Sequence, residues 1–272
     1  VSAFLQPHII DEMTALVSRA AAAVMEIRAS TLSVRQKSDL SPVTDADHAS
    51  EDIISDGLRH LLPGLQIVSE EAGALPSSVD TEFALIDPLD GTREFIAGRD
   101  DFTVNLAVIA GGRPLVGVVA APALEMIWRT TAAGGAERLH LQPGGPPREA
   151  RETIVIHSAT PEPHRLRALV SRSHLDERTR AWLARYNAAT LTECGSSLKF
   201  CRLAEGAADV YPRLAPTMEW DIAAGDAVLT AAGGAVLTPD GARLIYGQTG
   251  RGFRIPEFIA WGRPPAPENG PR

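Results

Sequence analysis

The stretch Ile86-Asp87-Pro88-Leu89-Asp90-Gly91-Thr92 constrains this chain more than any other. An apolar run leads into it, two carboxylates follow three residues apart, Pro88 and Gly91 force a turn, and Thr92 stands where a helix can open. Such a turn gathers Asp87, Asp90 and the Leu89 carbonyl around one point. Hard divalent cations seek oxygen ligands of this kind, and magnesium commonly takes one or two carboxylates while keeping waters and substrate phosphate. The same letters also spell ordinary surface punctuation, because these residues are the commonest turn formers.

Three further acidic fragments carry a similar ambiguity. Ser69-Glu70-Glu71 ends another apolar run, and adjacent acids there are often a solvated sheet edge. Asp221 precedes Ile222-Ala223-Ala224-Gly225, where a helix cap is the plain reading. Thr44-Asp45-Ala46-Asp47 likewise reads as a helix start.

Composition narrows what these acids can serve. A chain of 272 residues, 44% hydrophobic and 22% charged, can build a sizeable core in one large domain or two small ones. A net charge of −8 argues against a surface made to neutralise a nucleic-acid polymer, so an anionic substrate needs a local positive centre. Cys194 and Cys201 form neither a zinc clip nor a disulfide framework and read as buried thiols. The small-residue run Ala20 to Val24 is far shorter than the roughly 20 apolar residues of a membrane span, and no charged leader precedes a cleavage site. The expectation is a cytoplasmic protein, with peripheral association with the inner membrane as a variant. The start at Val1 leaves a trimmed terminus or a removed leader open.

Periodicity predicts an amphipathic helix over His8 to Ala29 and a second from about Asp45 to Leu62, closed by Pro63-Gly64. Short β-like runs follow at Leu65 to Ser69, Phe83 to Ile86, Thr103 to Ala110 and Leu115 to Ala120, the last two as a hairpin around Gly111-Gly112-Arg113-Pro114. Gln142 to Arg151, rich in glycine, proline and charge, is the candidate surface connection between two halves. Beyond it, strand-like Thr153 to His157 and Ala168 to Ser171 alternate with helix-like Asp176 to Tyr186, Ser197 to Glu205 and Ile222 to Ala232.

Taken together, Asp87 to Thr92, Trp220 to Gly225, Pro42 to Asp47 and Ser69-Glu70-Glu71 resemble the signatures of the lithium-sensitive inositol monophosphatase superfamily in spacing and order, over about Lys37 to Gly234. Within it the chain looks most like the bacterial 3′(2′),5′-bisphosphate nucleotidases, through Asp87 to Ile96, Ser171-Arg-Ser-His174, Gly195-Ser-Ser-Leu-Lys-Phe-Cys201 and Tyr211-Pro-Arg213. Arg93 stands where that pattern usually has lysine, and the charge survives. The resemblance implies an α+β fold, a layered α-β-α-β-α sandwich. Its active site lies between an N-terminal half, 1–150, with most metal ligands and a C-terminal half, 151–272, with Asp221 and the nucleotide contacts.

The resemblance also implies two or three magnesium ions. Glu70, Asp87 and the Leu89 carbonyl would hold one, and Asp87, Asp90 and Asp221 a second. Clustered carboxylates repel unless cations neutralise them, which agrees independently. Activation of the attacking water falls to Thr92 with Asp47 behind it, and Glu71 assists. Glu70, Leu89, Asp90, Gly91, Thr92 and Asp221 would touch substrate near the cleaved phosphate, and free N–H groups of a helix starting near Gly91-Thr92 would cradle it. His174, Ser196, Lys199 and Arg213 would meet the rest of the nucleotide, Lys199 and Arg213 suiting a second phosphate. Taken alone, Lys199 reads as a solvent-facing helix residue and His174 as a strand-end cap.

The expected reaction is hydrolysis of adenosine 3′(2′),5′-bisphosphate to AMP and phosphate. The partner is a small phosphorylated nucleotide, with no nucleic-acid polymer and no stable membrane insertion, for a monomer or homodimer. The alternatives are an inositol monophosphatase or broad sugar-phosphate phosphatase, which needs neither Lys199 nor Arg213, and a non-catalytic sensor of adenosine bisphosphate. A structural calcium site would leave Thr92 and the basic residues unexplained.

Overall fold

The computed structural model describes residues 3–30, 34–36, 42–162, 165–172, 175–185 and 190–264. Helix α1 (Pro7–Arg28) buries Ile10, Met13, Leu16, Val17, Ala20 and Val24, the stripe its periodicity predicts. A short ribbon of β1 (Val34–Gln36) and β2 (Pro42–Thr44) leads into α2 (Asp45–Leu61). Thr44 caps α2, its hydroxyl accepting from the Ala46 N–H at 3.2 Å while the Asp47 carboxylate accepts from the Thr44 N–H at 2.7 Å.

Seven strands form the first sheet: β3 (Gln66–Ser69), β4 (Glu82–Asp90), β5 (Thr103–Ala110), β6 (Arg113–Ala121), β7 (Met126–Thr130), β8 (Ala136–His140) and β9 (Glu152–Ile156), in that order. β3 and β4 run parallel and every later pair is antiparallel. The short helix α3 (Thr92–Ile96) follows β4. The second sheet has the order β11-β10-β12-β16-β14, from β10 (Arg167–Ser171), β11 (Thr190–Cys194), β12 (Val210–Arg213), β14 (Ala235–Leu237) and β16 (Phe258–Trp261). Helices α4 (Glu177–Leu183), α5 (Leu198–Ala204) and α6 (Glu219–Ala231) belong to this half. A small ladder joins β13 (Thr217–Met218) to β15 (Arg254–Ile255).

Side-chain alternation builds the layers. Val104, Leu106 and Val108 of β5 join Val116, Val118 and Ala120 of β6 beneath α1 and α2. Ala107, Ile109, Val119 and Ala121 face the other way, onto α5 and α6, which pack on Tyr211, Val236 and Phe258 of the second sheet. The far face of that sheet, with Ala168, Val210 and Ile259, is covered by Leu183 of α4. The order is therefore helices, sheet, helices, sheet, helix. At the central contact, a Cβ on Gly117 would lie 2.4 Å from the Ala224 carbonyl oxygen, so glycine is what lets α6 lie this close to β6.

Two expectations need correction. Gln142 to Arg151 does not link two halves: it joins β8 to β9 inside the first sheet, so a division at residue 150 would cut β9 from the sheet it completes. Glycine and proline mark a chain reversal of either kind, and composition cannot tell them apart. α6 begins at Glu219 rather than Ile222, which puts Asp221 inside its first turn. Cys194 and Cys201 are free buried thiols, and burial raises the pKa of both. Among the described residues no helix is long and apolar enough to cross a membrane.

Candidate active site

Residues three apart on a regular strand point to opposite faces, yet the site needs Asp87 and Asp90 together. The pairing of β4 with β5 supplies the answer: Asp87 stands opposite Asn105 and Asp90 opposite Thr103, so three steps on β4 match two on β5. This bulge flips the alternation. Ile86 and Leu89 both pack under α1 and α2, and Asp87 and Asp90 are left on the α6 side. Gly91 then turns with φ of 89°, a left-handed conformation that favours glycine, and α3 starts at Thr92.

Glu70 at the end of β3, Asp87 on β4 and Asp221 on α6 bring carboxylate oxygens within 4.8 Å of one another. The Asp221 carboxylate is aimed by its own helix start: it accepts from the Met218 N–H at 3.0 Å and from the Thr217 hydroxyl. Burial, then the charges of Glu70, Asp90 and Asp221, push the Asp87 carboxyl well above the usual range. Burial, followed by Asp221, raises Asp90 to about 6 against the opposing pull of Lys199 and Arg213. Asp87 Oδ2 is buried with no hydrogen-bond partner, so a hard oxygen donor aims into an acidic cluster with nothing to satisfy it. The donor set fits a divalent cation.

Thr92 and Asp47 lie next to each other. Thr92 Oγ1 lies 3.3 Å from Asp47 Oδ1 and 3.1 Å from the Leu89 carbonyl oxygen. Asp47 is buried and steadied by Thr44, so its carboxylate caps α2 and faces Thr92 at once. Glu71 is half-buried in the turn after β3 and stands outside the tight carboxylate set.

A cavity of about 390 Å³ opens over these groups, lined by Glu70, Asp90, Gly91, Thr92 and Asp221 together with Ser196, Lys199, Arg213 and Arg254. Lys199 is not the solvent-facing residue that an isolated reading allows. It is 3% exposed, with Nζ donating to the carbonyls of Cys194 at 3.1 Å and Ser196 at 2.7 Å and lying 4.9 Å from the Tyr211 ring centre. Arg213 donates to the Pro216 carbonyl at 3.1 Å. Burial lowers its pKa, but Tyr211, Asp221 and Asp90 outweigh that and leave it raised. Ser196 holds a φ of 44° at the cavity edge. His174 lies outside the described residues.

Ser197 is a site residue that sequence reasoning missed. Its Oγ sits 3.1 Å from Asp90 Oδ2 and 2.5 Å from the Asp221 carbonyl oxygen, and accepts from Asn105 Nδ2 at 3.0 Å. It thus ties β5, the bulge and α6 together. Its place in Gly195-Ser-Ser-Leu-Lys was visible, but nothing local separates it from Ser196.

A sequence profile described as the inositol monophosphatase family matches residues 7–255. The chain belongs to the inositol monophosphatase family. Within that family it is 39% identical over 243 residues to the 3′(2′),5′-bisphosphate nucleotidase CysQ of Escherichia coli K12, covering 87% of this chain and 93% of that protein. CysQ of Buchnera aphidicola is 32% identical over 259 residues, covering 89% of each. Among solved structures, CysQ from Bacteroides thetaiotaomicron, a bacterial member of the family, superposes with a TM-score of 0.79 at 29% identity over 95% of this chain and 98% of that one. An inositol monophosphatase from Anabaena shares the fold, with a TM-score of 0.73 at 24% identity over 94% and 91% of the two chains.

Proposed function

We propose that this chain is a magnesium-dependent 3′(2′),5′-bisphosphate nucleotidase that hydrolyses adenosine 3′(2′),5′-bisphosphate to AMP and phosphate. The observation that carries the chemistry is the buried, unpartnered Asp87 Oδ2 beside Glu70 and Asp221, next to Thr92 and Asp47. The substrate class comes from likeness to the CysQ proteins over most of the chain.

Glu70, Asp87, the Leu89 carbonyl, Asp90 and Asp221 would hold two or three magnesium ions. Bound there, magnesium polarises a phosphate, lowers the pKa of a bound water and offsets charge on the leaving oxygen. The rest falls to the chain's own groups. Thr92 Oγ1 accepts a proton from the attacking water, and Asp47, which accepts the hydrogen bond from Thr92, draws the hydroxyl proton away. The water oxygen bonds to phosphorus as the bond to the 3′ oxygen breaks, and the departing 3′ oxygen takes up a proton from solvent, giving 5′-AMP and inorganic phosphate. Lys199 and Arg213 place positive charge in the same cavity as the carboxylates, and would meet the uncleaved phosphate of a bisphosphate there.

A phosphate-release screen with magnesium over adenosine 3′,5′-bisphosphate, its 2′ isomer, inositol 1-phosphate and fructose 1,6-bisphosphate tests this reading. We expect the highest kcat/KM on the adenosine bisphosphates. Preference for inositol 1-phosphate would make the chain an inositol monophosphatase, and tight adenosine bisphosphate binding without phosphate release would make it a sensor.

A further inference from the structure

The cations around the cavity differ in how far their donors are already committed. Lys199 spends two N–H groups on the carbonyls of Cys194 and Ser196, whereas Arg213 spends one on Pro216 and keeps a buried Nε without a hydrogen-bond partner. Arg254, like Arg93, is exposed, lines the same cavity and makes no side-chain hydrogen bond or ion pair to the described residues. Of residues 247–254 it is the one that reaches the cavity.

The segment before it is built to hold it there. Glu219, fully buried at the start of α6, accepts from the backbone N–H groups of Gly247 at 2.7 Å and Gln248 at 2.8 Å. Its own N–H donates to the Phe253 carbonyl at 2.8 Å. Gly252 and Phe253 both take left-handed backbone, with φ of 60° and 59°. A phenylalanine adopts that conformation only where its surroundings over-determine it. Here the ring is fully buried, 6.2 Å from Trp220 centre to centre. Arg254 then pairs across the small ladder with Met218, three residues before Asp221. The loop is thus fastened to the same helix turn that aims Asp221.

We propose that Arg254 is a further specificity-determining residue that, beside Lys199 and Arg213, binds the uncleaved 5′-phosphate of an adenosine 3′,5′-bisphosphate. A planar guanidinium with free donors can grip a phosphate through two parallel hydrogen bonds, which an ammonium cannot. The inference rests on the nucleotidase reading. Its test compares wild type, Arg254→Ala and Arg254→Lys at saturating magnesium on adenosine 3′,5′-bisphosphate and on adenosine 3′-monophosphate, which lacks the gripped group.

Arg254→Ala should lose about tenfold or more in kcat/KM on the bisphosphate, mainly through KM, and less than about threefold on the monophosphate. Arg254→Lys should recover part of the loss. Inhibition by the product 5′-AMP should weaken about tenfold in Arg254→Ala while inhibition by inorganic phosphate stays unchanged, a comparison that needs no turnover of the monophosphate. Wild type active on the bisphosphate together with equal losses on both substrates, or none, overturns the role of Arg254 alone. Wild type inactive on the bisphosphate overturns the nucleotidase reading, and this inference with it.

Discussion

Helix α6 carries a second buried acid, Asp226, five residues beyond Asp221 and 7% exposed. Tyr246 donates to its Oδ2 at 2.8 Å and Thr230 to its Oδ1 at 3.0 Å. Burial raises its pKa from 3.8 to about 6 despite those hydrogen bonds and the charges of Arg243 and Arg113. A folded-state pKa above the unfolded value means that the native state holds the proton longer. The associated stability is full below about pH 3.8 and is lost as pH rises through about 6. The whole span is worth about 3 kcal/mol, of which about 2 kcal/mol falls between roughly pH 4.5 and 7.5.

Asp226→Asn keeps the shape and both partners, since the amide oxygen can accept from Tyr246 and the Thr230 hydroxyl can turn to accept from the amide. It removes the titration. Urea unfolding of both proteins in chelator, at several pH values across that window, isolates the effect, because Asp87 and Asp90 titrate alike in each and cancel. The stability of Asp226→Asn relative to wild type should climb by about 2 kcal/mol from roughly pH 4.5 to 7.5. Curves that stay parallel across the window would refute the assignment of a raised pKa to Asp226.

Two further outcomes follow from the site. Asp87→Asn should fold, lose the thermal stabilisation that wild type gains from added magnesium and lose most of its activity; a folded variant with near wild-type turnover would refute the metal assignment. Gly117→Ala forces a Cβ to within 2.4 Å of the Ala224 carbonyl, so it should cost about 1 to 3 kcal/mol and, by displacing α6, weaken magnesium binding measured calorimetrically. Unchanged melting temperature and magnesium affinity would show that α6 has more room than the structure allows it.

Much of the first sheet and the acidic set could be read from the chain alone. Thr103 to Ala110 is a strand with the predicted ends, α1 falls within a residue of its predicted limits, and Asp87, Thr92 and Asp221 were marked by motif. These signals are local: alternation, helical spacing and turn chemistry are properties of neighbours in sequence. The strands from β11 to β16 escaped because all are only two to five residues long, too short to carry an alternation pattern of their own.

The bulge that sets Asp87 beside Asp90 was invisible as well, since a bulge is defined by what lies on the neighbouring strand, here Asn105 and Thr103. The same holds for Ser197, whose value lies in touching Asp90 and Asp221 from different elements, and for Lys199, whose ammonium is turned inward by two carbonyls. Residue types were settled by the sequence, because a metal site needs carboxylates whatever the fold. Which donors remain free for a ligand was decided by tertiary structure, because hydrogen-bond capacity is spent on whichever groups the packed chain brings within about 3 Å.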